Sequence, residues 1–217
     1  MVCGFRRKKG GAGIVDSSEF FPAGARIRTA SPEDAPVLSE IYRPYVAETA
    51  VSFEYEAPDA GEFAERIRKT LERYPWLVYE TAGGELLGYA YASPFKQRQA
   101  YDWSAEVSIY VREDAHGRGI GKALYAELER ILARQGVRNL YACICAPRED
   151  NTRVTDASIR FHGAMGYRLI GSFCRCGNKF SEWYDMCWME KMIGTHDGVP
   201  EPLIPFPELR DRANDAE

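Results

Sequence analysis

The sequence lacks any hydrophobic run long enough to cross a membrane. A transmembrane helix needs roughly 20 consecutive, mostly apolar residues, and the longest apolar stretches here have the length of a strand. The N-terminus carries a basic cluster, Arg6 to Lys9, but Gly-rich and acidic residues follow it, where a secretion signal needs an apolar segment. We therefore expect no membrane association and no export, and the expected location is cytoplasmic.

An excess of positive charge is also missing. The chain has 28 Lys and Arg residues against 32 Asp and Glu residues, and the formal net charge is -4. A protein that binds nucleic acid mainly through charge needs a basic field on its surface, so we expect no nucleic-acid partner. The four charges of Arg6 to Lys9 lie beside glycines and are typical of a solvated arm.

Cysteine and histidine are scarce, with six and three residues in a chain of 217. Without a secretion signal, six cysteines fit a reducing compartment better than a disulfide framework. The pairs Cys143 with Cys145 and Cys174 with Cys176 invite a zinc interpretation, but structural zinc sites place about two to four residues between paired cysteines on turns. We expect buried apolar cysteines and no metal.

The order of the remaining patterns indicates one α+β domain with a mixed, mostly antiparallel sheet. Residues 1–24 lack periodicity and are expected to form a flexible extension, residues 25–193 the domain, and residues 194–217 a proline-rich tail drawn out over the surface. About four helices are predicted at 31–48, 59–73, 119–135 and 156–165. About seven strands are predicted at 26–30, 76–81, 86–92, 103–111, 139–146, 167–176 and 180–190, with a turn at Gly177-Asn178 between the last two.

Two stretches carry the chemical signal. Residues 103–111 alternate so that Glu106 and Ser108 share a polar face of a strand. The Gly-rich stretch from His116 to Lys122 then leads into a helix, and its backbone N–H groups and the helix N-terminus are suited to a pyrophosphate. It lacks both the Gly-Lys-Ser/Thr ending of a Walker loop and the G-x-G-x-x-G of a dinucleotide fold.

The order strand, Gly-rich loop, helix, strand and short helix ending at Gly166-Tyr167 resembles the GNAT superfamily of N-acetyltransferases. In that family the loop has the pattern R/Q-x-x-G-x-G/A and holds the pyrophosphate of acetyl-coenzyme A (acetyl-CoA), which is the cofactor that the resemblance implies. His116 stands at the R/Q position. The coenzyme contacts implied by the family are those of Ile109, Tyr110, Val111, His116, Gly117, Arg118, Gly119, Ile120, Gly121, Lys122, Thr155 and Ser158.

Longer motifs resemble a narrower group, the phosphinothricin N-acetyltransferases and the enzymes that acetylate methionine sulfoximine or methionine sulfone. These motifs are the residues 52–54, 93–106, 158–167 and 179–185. The resemblance implies transfer of acetyl to the α-amino group of a small amino-acid-like substrate, and a homodimer. A different acceptor, such as another amine or a protein N-terminus, and a non-catalytic acetyl-CoA sensor are the alternatives.

The same resemblance implies that Glu106 is the general base and that His162 is a second catalytic candidate. His162 stands where many other members carry a tyrosine thought to protonate the departing thiolate, and it either serves as that acid or only lines the site. The implied substrate contacts are Phe53, Arg98, Tyr101, Glu106 and Ser108. The residues 147–155 form a longer loop than in related sequences, and Thr155 replaces a usual asparagine. Because this loop borders the thiol end of the coenzyme, we expect it to influence the choice of acceptor.

Overall fold

The computed structural model describes residues 24–148, 151 and 153–214, so the predicted extension lies outside the described residues apart from Gly24. The strands are β1 Arg26–Thr29, β2 Trp76–Glu80, β3 Leu86–Pro94, β4 Ser104–Val111, β5 Asn139–Ala146, β6 Arg168–Lys179 and β7 Glu182–Met192. The helices are α1 Ala35–Ala47, α2 Ala60–Leu71, α3 Ile120–Gln135, α4 Ala157–Ala164 and α5 Phe206–Asn214. None of these helices is both long enough and apolar enough to span a bilayer.

The helices begin where the sequence supplies caps. The Asp34 carboxylate accepts a hydrogen bond from the Ser31 backbone N–H at 2.8 Å, in a single 3-10 turn that precedes α1. Asp59 Oδ1 accepts from Glu62 N at 2.8 Å at the start of α2. Such caps satisfy N–H groups that have no partner in the first turn of a helix.

All seven strands form one sheet in the order β1-β2-β3-β4-β5-β7-β6, which confirms the predicted α+β fold with its mixed sheet. The pair β4–β5 is parallel and short: it runs from Ser104↔Asn139 to Glu106↔Tyr141. The other described pairs are antiparallel. Because the β4–β5 pairing stops at Glu106 while both strands continue, a gap opens between them, and this gap positions the site.

Two apolar cores cover the two faces of the sheet. On one face α3 buries Leu124, Leu128 and Leu132. On the other, α1 and α2 bury Leu38, Ile67 and their neighbours against an aromatic layer. Leu and Ile side chains buried in this way each contribute about 1.5–3 kcal/mol relative to exposure. The sheet is therefore fixed on both faces, and the split between β4 and β5 opens in a rigid support.

The structure corrects the predicted turn between β6 and β7. Lys179 pairs with Glu182, so the turn is made by Phe180 and Ser181 and not by Gly177-Asn178, which pair within the hairpin. Phe180 has φ 52° and Ser181 has φ 62°. A two-residue turn with positive φ at both positions matches the right-handed twist of a hairpin, although Gly or Asn usually occupies it. Tertiary contacts therefore hold these two residues in a conformation that their side chains disfavour.

The tail also differs from the expectation. Residues 194–205 form neither helix nor strand, but α5 follows and buries Phe206 and Leu209 in the core beneath α3. The Gln135 side chain at the end of α3 donates to the carbonyls of Arg73 and Ile204, both at 2.8 Å. The C-terminal segment is thus part of the packed domain.

Candidate active site

The gap between β4 and β5 is a cleft of about 540 Å³. The N-terminus of α3 closes one end and α4 forms a wall. Thirteen of the sequence-predicted residues line it, namely Ser108, Ile109, Tyr110, Val111, His116, Gly117, Gly119, Ile120, Gly121, Lys122, Thr155, Ser158 and His162. Arg118 does not line the cleft, since its guanidinium donates to Asp114 O at 2.7 Å.

The structure requires glycine at different positions of the phosphate loop for different reasons. Gly117 and Gly119 have φ of 75° and 81°, a left-handed conformation that other residues adopt at a cost. Gly119 is also the N-cap of the 16-residue helix α3. Gly121 is limited by space instead, because a Cβ there would lie 3.2 Å from Phe161 Cε2 on α4. The loop therefore exposes backbone N–H groups at the positive end of a helix dipole, which suits a phosphate anion.

The His116 ring is turned toward the end of β4. Its Nε2 lies 2.9 Å from Val111 O and 2.9 Å from the Tyr45 hydroxyl, which also donates to Val111 O. The side chain at the R/Q position thus contacts protein groups, and the Val111 carbonyl already has two partners. We therefore expect the backbone of His116, and not its ring, to contact the phosphate.

The edge of β4 that faces the gap offers further main-chain groups. Arg112 N donates to Leu87 O, and Ser104 O accepts from Phe95 N, so the main-chain groups of even-numbered residues point toward β3. Successive residues alternate in a strand, and the main-chain groups of Ile109 and Val111 therefore point into the gap. An extended polar molecule can bind this edge as an added strand does.

These features fit the predicted coenzyme. The cleft offers an anion site at the helix N-terminus, a strand edge for an amide-containing arm on which only the Val111 carbonyl is already engaged by side chains of the described residues, and apolar walls from Ile120 and Phe161. The volume of about 540 Å³ is in the range of ligand pockets. The residues present therefore suit a long ligand that has a pyrophosphate at one end and a thioester near Glu106.

Glu106 lies at the last β4–β5 pair, next to the cleft residue Val107, but its side chain does not itself line the cleft. Burial raises the pKa of its carboxyl, and the charge of Lys96 partly opposes this rise. No described residue donates a hydrogen bond to the Glu106 carboxylate. A half-buried carboxylate without a protein donor binds a proton more readily than an exposed one, which is the property required of a general base near neutral pH.

His162 is buried, with 3% of its surface exposed. Its Nδ1 lies 2.8 Å from Ser158 O and its Nε2 lies 3.0 Å from the Tyr125 hydroxyl. Because a carbonyl only accepts, Nδ1 carries the proton and Nε2 accepts from Tyr125. Burial lowers the pKa of His162, so the ring is neutral near pH 7. The group that presents a hydroxyl proton next to His162 is Tyr125, which the sequence patterns did not single out.

The predicted acceptor residues are more scattered. Phe53 lies at the β6–β7 hairpin, with its ring centroid 6.3 Å from that of Tyr184. Arg98 and Tyr101 lie on an exposed loop before β4, and the Tyr101 ring meets Phe95 edge-on at 5.8 Å. Phe53, Arg98 and Tyr101 do not line the coenzyme cleft. They come from separate segments of the chain.

Aromatic residues beside Glu106 form a cluster that the sequence patterns did not reveal. Phe95 stacks on Tyr141 with ring centroids 4.2 Å apart and meets Trp188 edge-on at 5.5 Å. Lys96 Nζ lies 4.8 Å from the centroid of Phe95 and 5.5 Å from that of Trp188. The cluster joins a loop, β5 and β7, and only the alternation within β5 and β7 hinted that their side chains share one face.

Several further residues line the cleft without having been predicted. They are Tyr45, Val51, Val107, Ala115, Tyr125, Ala142, Cys143, Ile144, Cys145, Ala157 and Phe161. Tyr45 and Val51 come from α1 and the segment after it, which is remote in sequence from the phosphate loop. The β5 residues were identified only as a strand, and no local motif distinguished them as walls of a site.

The thiols of the cleft are free cysteines. Cys145 is buried as expected, whereas Cys143 is exposed. Desolvation by the surrounding protein raises the pKa of each thiol to about 12, so both are protonated near neutral pH and are poor nucleophiles. Cys143 Sγ contacts Met186 Sδ at 2.7 Å. In the described part of the chain no three His, Cys, Asp or Glu side chains come together as a metal site would require.

Comparison with known proteins gives consistent relatives. The chain matches the acetyltransferase (GNAT) domain family over residues 27–188. It is 35% identical to a phosphinothricin N-acetyltransferase of Streptomyces coelicolor over 184 residues, covering 79% of this chain and 98% of the relative. It is 30% identical to the L-methionine sulfoximine/L-methionine sulfone acetyltransferase of Pseudomonas paraeruginosa over 177 residues, covering 81% and 99%.

Solved structures agree with these relatives. A GNAT superfamily phosphinothricin acetyltransferase from Sinorhizobium meliloti, determined in complex with acetyl-CoA, superposes with a TM-score of 0.75. Its sequence identity to this chain is 33%, and the match covers 85% of this chain and 97% of that chain.

Proposed function

The chain belongs to the GNAT acetyltransferase family and is an acetyl-CoA-dependent N-acetyltransferase, and we propose that it acetylates the α-amino group of a small amino-acid-like molecule. The acceptor class is that of phosphinothricin, methionine sulfoximine or methionine sulfone. The relatives named for these substrates support the proposal. The single observation in the chain that carries it is the half-buried, partly desolvated Glu106 carboxylate at the point where β4 and β5 separate.

Glu106 acts as general base in the proposed mechanism. An amine is protonated near neutral pH and attacks only after it loses a proton. Glu106 accepts that proton directly or through a water, and its raised pKa makes the transfer more favourable than for an exposed carboxylate. Acetyl-CoA supplies the acetyl group as a thioester. The amine attacks it directly, because the neighbouring Cys143 thiol is too weakly acidic to act as an intermediate carrier.

His162 contributes through its partner in this proposal. The neutral ring accepts the Tyr125 hydroxyl and is itself fixed by Ser158 O. Both side chains line the cleft, so the pair can supply a proton on the thiol side of the reaction while Glu106 accepts one on the amine side. A His162→Asn variant that keeps full kcat would remove His162 from the mechanism.

The protein is proposed to be a homodimer. The edge strand β6 exposes Leu169, Ile170 and Phe173, with 60%, 51% and 52% of their surfaces accessible. Trp183 on β7 is 56% exposed. Large apolar side chains concentrated on one edge are typical of an interface. Sedimentation equilibrium tests this part: a dimer of the 24.5 kDa chain is expected, and a monomer at micromolar concentration would contradict it.

Thiol release from acetyl-CoA measures the activity. The acceptor panel is phosphinothricin, methionine sulfoximine, methionine sulfone, ordinary amino acids, polyamines and a peptide with a free N-terminus. Turnover of the first three that collapses in Glu106→Gln supports the proposal. Preference for the peptide or a polyamine would transfer the activity to a larger amine, and coenzyme binding without turnover of any acceptor would indicate a sensor.

A further inference from the structure

Lys179 is an unusual lysine because it is almost completely buried, with 1% of its surface exposed. Its ammonium group donates to three main-chain carbonyls: Val46 O at 2.7 Å, Thr49 O at 3.0 Å and Ser52 O at 2.7 Å. An ammonium has three donors, and all three are used on one short segment. Desolvation lowers the pKa of Lys179, so the carbonyls replace water as the stabilising environment of the charge.

The segment whose carbonyls bind Lys179, residues 46–52, needs such a donor. Helix α1 ends at Ala47, and the carbonyls of the last turn of a helix receive no hydrogen bond from within the helix. A cation at this end also opposes the negative pole of the helix dipole. Ser52 O, however, lies well beyond the helix, so the same ammonium fixes both the end of α1 and the chain that leads to Phe53.

Other contacts fix the two neighbours of Phe53. The Ser52 hydroxyl lies 2.6 Å from the Tyr42 hydroxyl, and it also accepts from Glu54 N at 3.2 Å. The Glu54 carboxylate accepts hydrogen bonds from Nη1 and Nη2 of Arg66, at 2.7 and 3.2 Å. The backbone on each side of Phe53 is thus held, and the direction of its ring depends on what it packs against.

The Phe53 ring packs against a glycine of the same hairpin that carries Lys179. A Cβ on Gly177 would lie 2.8 Å from two ring carbons of Phe53, Cδ2 and Cζ, and closer still to Cε2. Real Cβ atoms do not approach that closely, so the ring occupies space that only glycine leaves open. Between Gly177 and Lys179, the Asn178 carbonyl accepts a hydrogen bond from the Tyr55 hydroxyl at 2.8 Å.

The long loop before α4 joins the same assembly. Arg153 Nη1 donates to Glu48 O at 3.1 Å, and Arg153 O accepts from Ala50 N at 3.3 Å. The Arg153 guanidinium lies 4.2 Å from the centroid of the Phe180 ring at the hairpin turn. Two cations from different segments therefore bind the carbonyls that follow α1, and Val51 between them lines the coenzyme cleft.

We propose that the hairpin tip formed by Gly177, Asn178 and Lys179 is a positioning device that sets the place of Phe53, and through it the acceptor wall of the active site. This inference rests on the proposed function, in which Phe53 borders the acceptor. Lys179 fixes the backbone, and Gly177 provides the space for the ring. The device acts on acceptor binding, because neither Phe53 nor Gly177 lines the coenzyme cleft.

The first test compares two glycines of strand β6. In Gly177→Ala the new methyl displaces the Phe53 ring, whereas in the control Gly171→Ala nothing lies within 4 Å of the new methyl. We expect the acceptor KM to rise about tenfold in Gly177→Ala, with kcat within about threefold and acetyl-CoA affinity unchanged. Gly171→Ala should match the wild type. In the double variant Phe53→Ala/Gly177→Ala the clash is gone, so its KM should equal that of Phe53→Ala.

A spectroscopic readout separates this inference from the proposed function. In protein labelled with 4-fluorophenylalanine, the Phe53 ¹⁹F resonance is the one missing from Phe53→Ala. It should shift in Gly177→Ala and in Lys179→Met, and it should keep its position in Gly171→Ala. This result is obtained even if no acceptor of the panel is acetylated, in which case the proposed function fails and the positioning device stands.

Three results would overturn the inference. The first is an unchanged Phe53 resonance in Gly177→Ala. The second is a shifted resonance with an unchanged acceptor KM. The third is a KM effect of Gly177→Ala that persists after Phe53→Ala, since the glycine would then act independently of that ring. Lys179→Met serves as a supporting variant, and if it does not fold, the glycine pair and the double variant decide the question without it.

Discussion

The two ends of the cleft are built in different ways. At the proposed coenzyme end, a continuous stretch from His116 to Lys122 offers main-chain groups, and glycines set their direction. In the proposed acceptor site, Phe53, Arg98 and Glu106 come from separate segments and offer side chains. Recognition by main-chain groups does not depend on which side chain stands at each position. Side-chain recognition depends on whatever holds each segment in place.

This difference separates coenzyme binding, which the family shares, from the choice of acceptor, which differs among its members. Relatives named for different acceptors are all acetyltransferases, and the proposed coenzyme site consists of a local backbone conformation. The acceptor site is fixed by long-range contacts, such as those of Lys179 with carbonyls about 130 residues earlier. Variants at the two ends should therefore fail in different ways: coenzyme affinity should fall at one end, and acceptor turnover at the other.

The largest effect is expected for Glu106→Gln. Loss of a general base lowers kcat by about 10²- to 10⁴-fold, while acetyl-CoA affinity, measured by calorimetry, should stay within about twofold of the wild type. The wild-type kcat/KM should fall as the pH drops through a pKa higher than the ordinary glutamate value, since only the ionised Glu106 accepts a proton. This acidic limb should be absent from the residual activity of the variant.

Stability provides the control for that variant. A carboxyl whose pKa is raised by folding binds its proton more tightly in the folded state, so it stabilises the fold below its unfolded pKa and this contribution is lost as the pH rises through the folded pKa. Near neutral pH the ionised, partly desolvated Glu106 therefore destabilises the protein relative to its protonated form. Glu106→Gln should melt at the same or a higher temperature, and a lower melting temperature would attribute the lost activity to misfolding.

A smaller effect, at the coenzyme end, is expected for Gly119→Ala. The left-handed conformation at φ 81° costs a non-glycine residue about 1–2 kcal/mol, which corresponds to about a tenfold loss of acetyl-CoA affinity when that cost is taken from binding. S-acetylpantetheine, which has no pyrophosphate, should lose much less. Gly163→Ala on α4 is the matched control, because nothing lies within 4 Å of its new methyl. Equal losses for both ligands would show that Gly119 has no role specific to phosphate.

An effect of about fivefold is expected for Arg98→Gln at the acceptor end. Arg98 is exposed, and an exposed charged contact with a substrate anion contributes up to about 1 kcal/mol, which is about fivefold in KM. The acceptor KM should rise for a phosphinate or carboxylate substrate, with kcat and coenzyme affinity preserved. An unchanged KM would mean that Arg98 belongs only to the exposed loop.

The sequence was sufficient for the parts of the molecule that local patterns control. The alternation of residues 103–111 placed Glu106 on the polar face of β4, and the glycines placed the phosphate loop at the start of α3. Both depend on neighbouring residues only. The seven strands followed from the same kind of pattern, because each strand carries its own periodicity and turn residues.

The parts that failed depend on distant contacts. Helix α5 lacks a pronounced apolar stripe and follows several prolines, so only its burial of Phe206 and Leu209 beneath α3 explains it. The β6–β7 turn lies at Phe180-Ser181 because Lys179 and Arg153 hold the hairpin tip, whereas Gly177-Asn178 has the stronger local turn signal. Tyr125 was not predicted as a site residue for the same reason, since its hydroxyl is placed by a hydrogen bond with His162, 37 residues later.

The smallest effect is expected for His116→Gln, and it sharpens the contrast between the two ends. If the phosphate site consists of main-chain groups, a change of side chain at the R/Q position should alter acetyl-CoA affinity by less than about threefold, because the His116 ring contacts Val111 O and Tyr45. Calorimetry with acetyl-CoA and with S-acetylpantetheine measures this directly. A loss of tenfold or more for acetyl-CoA alone would mean that the imidazole contacts phosphate when the coenzyme is bound, and the coenzyme end would then depend on a side chain as the acceptor end does.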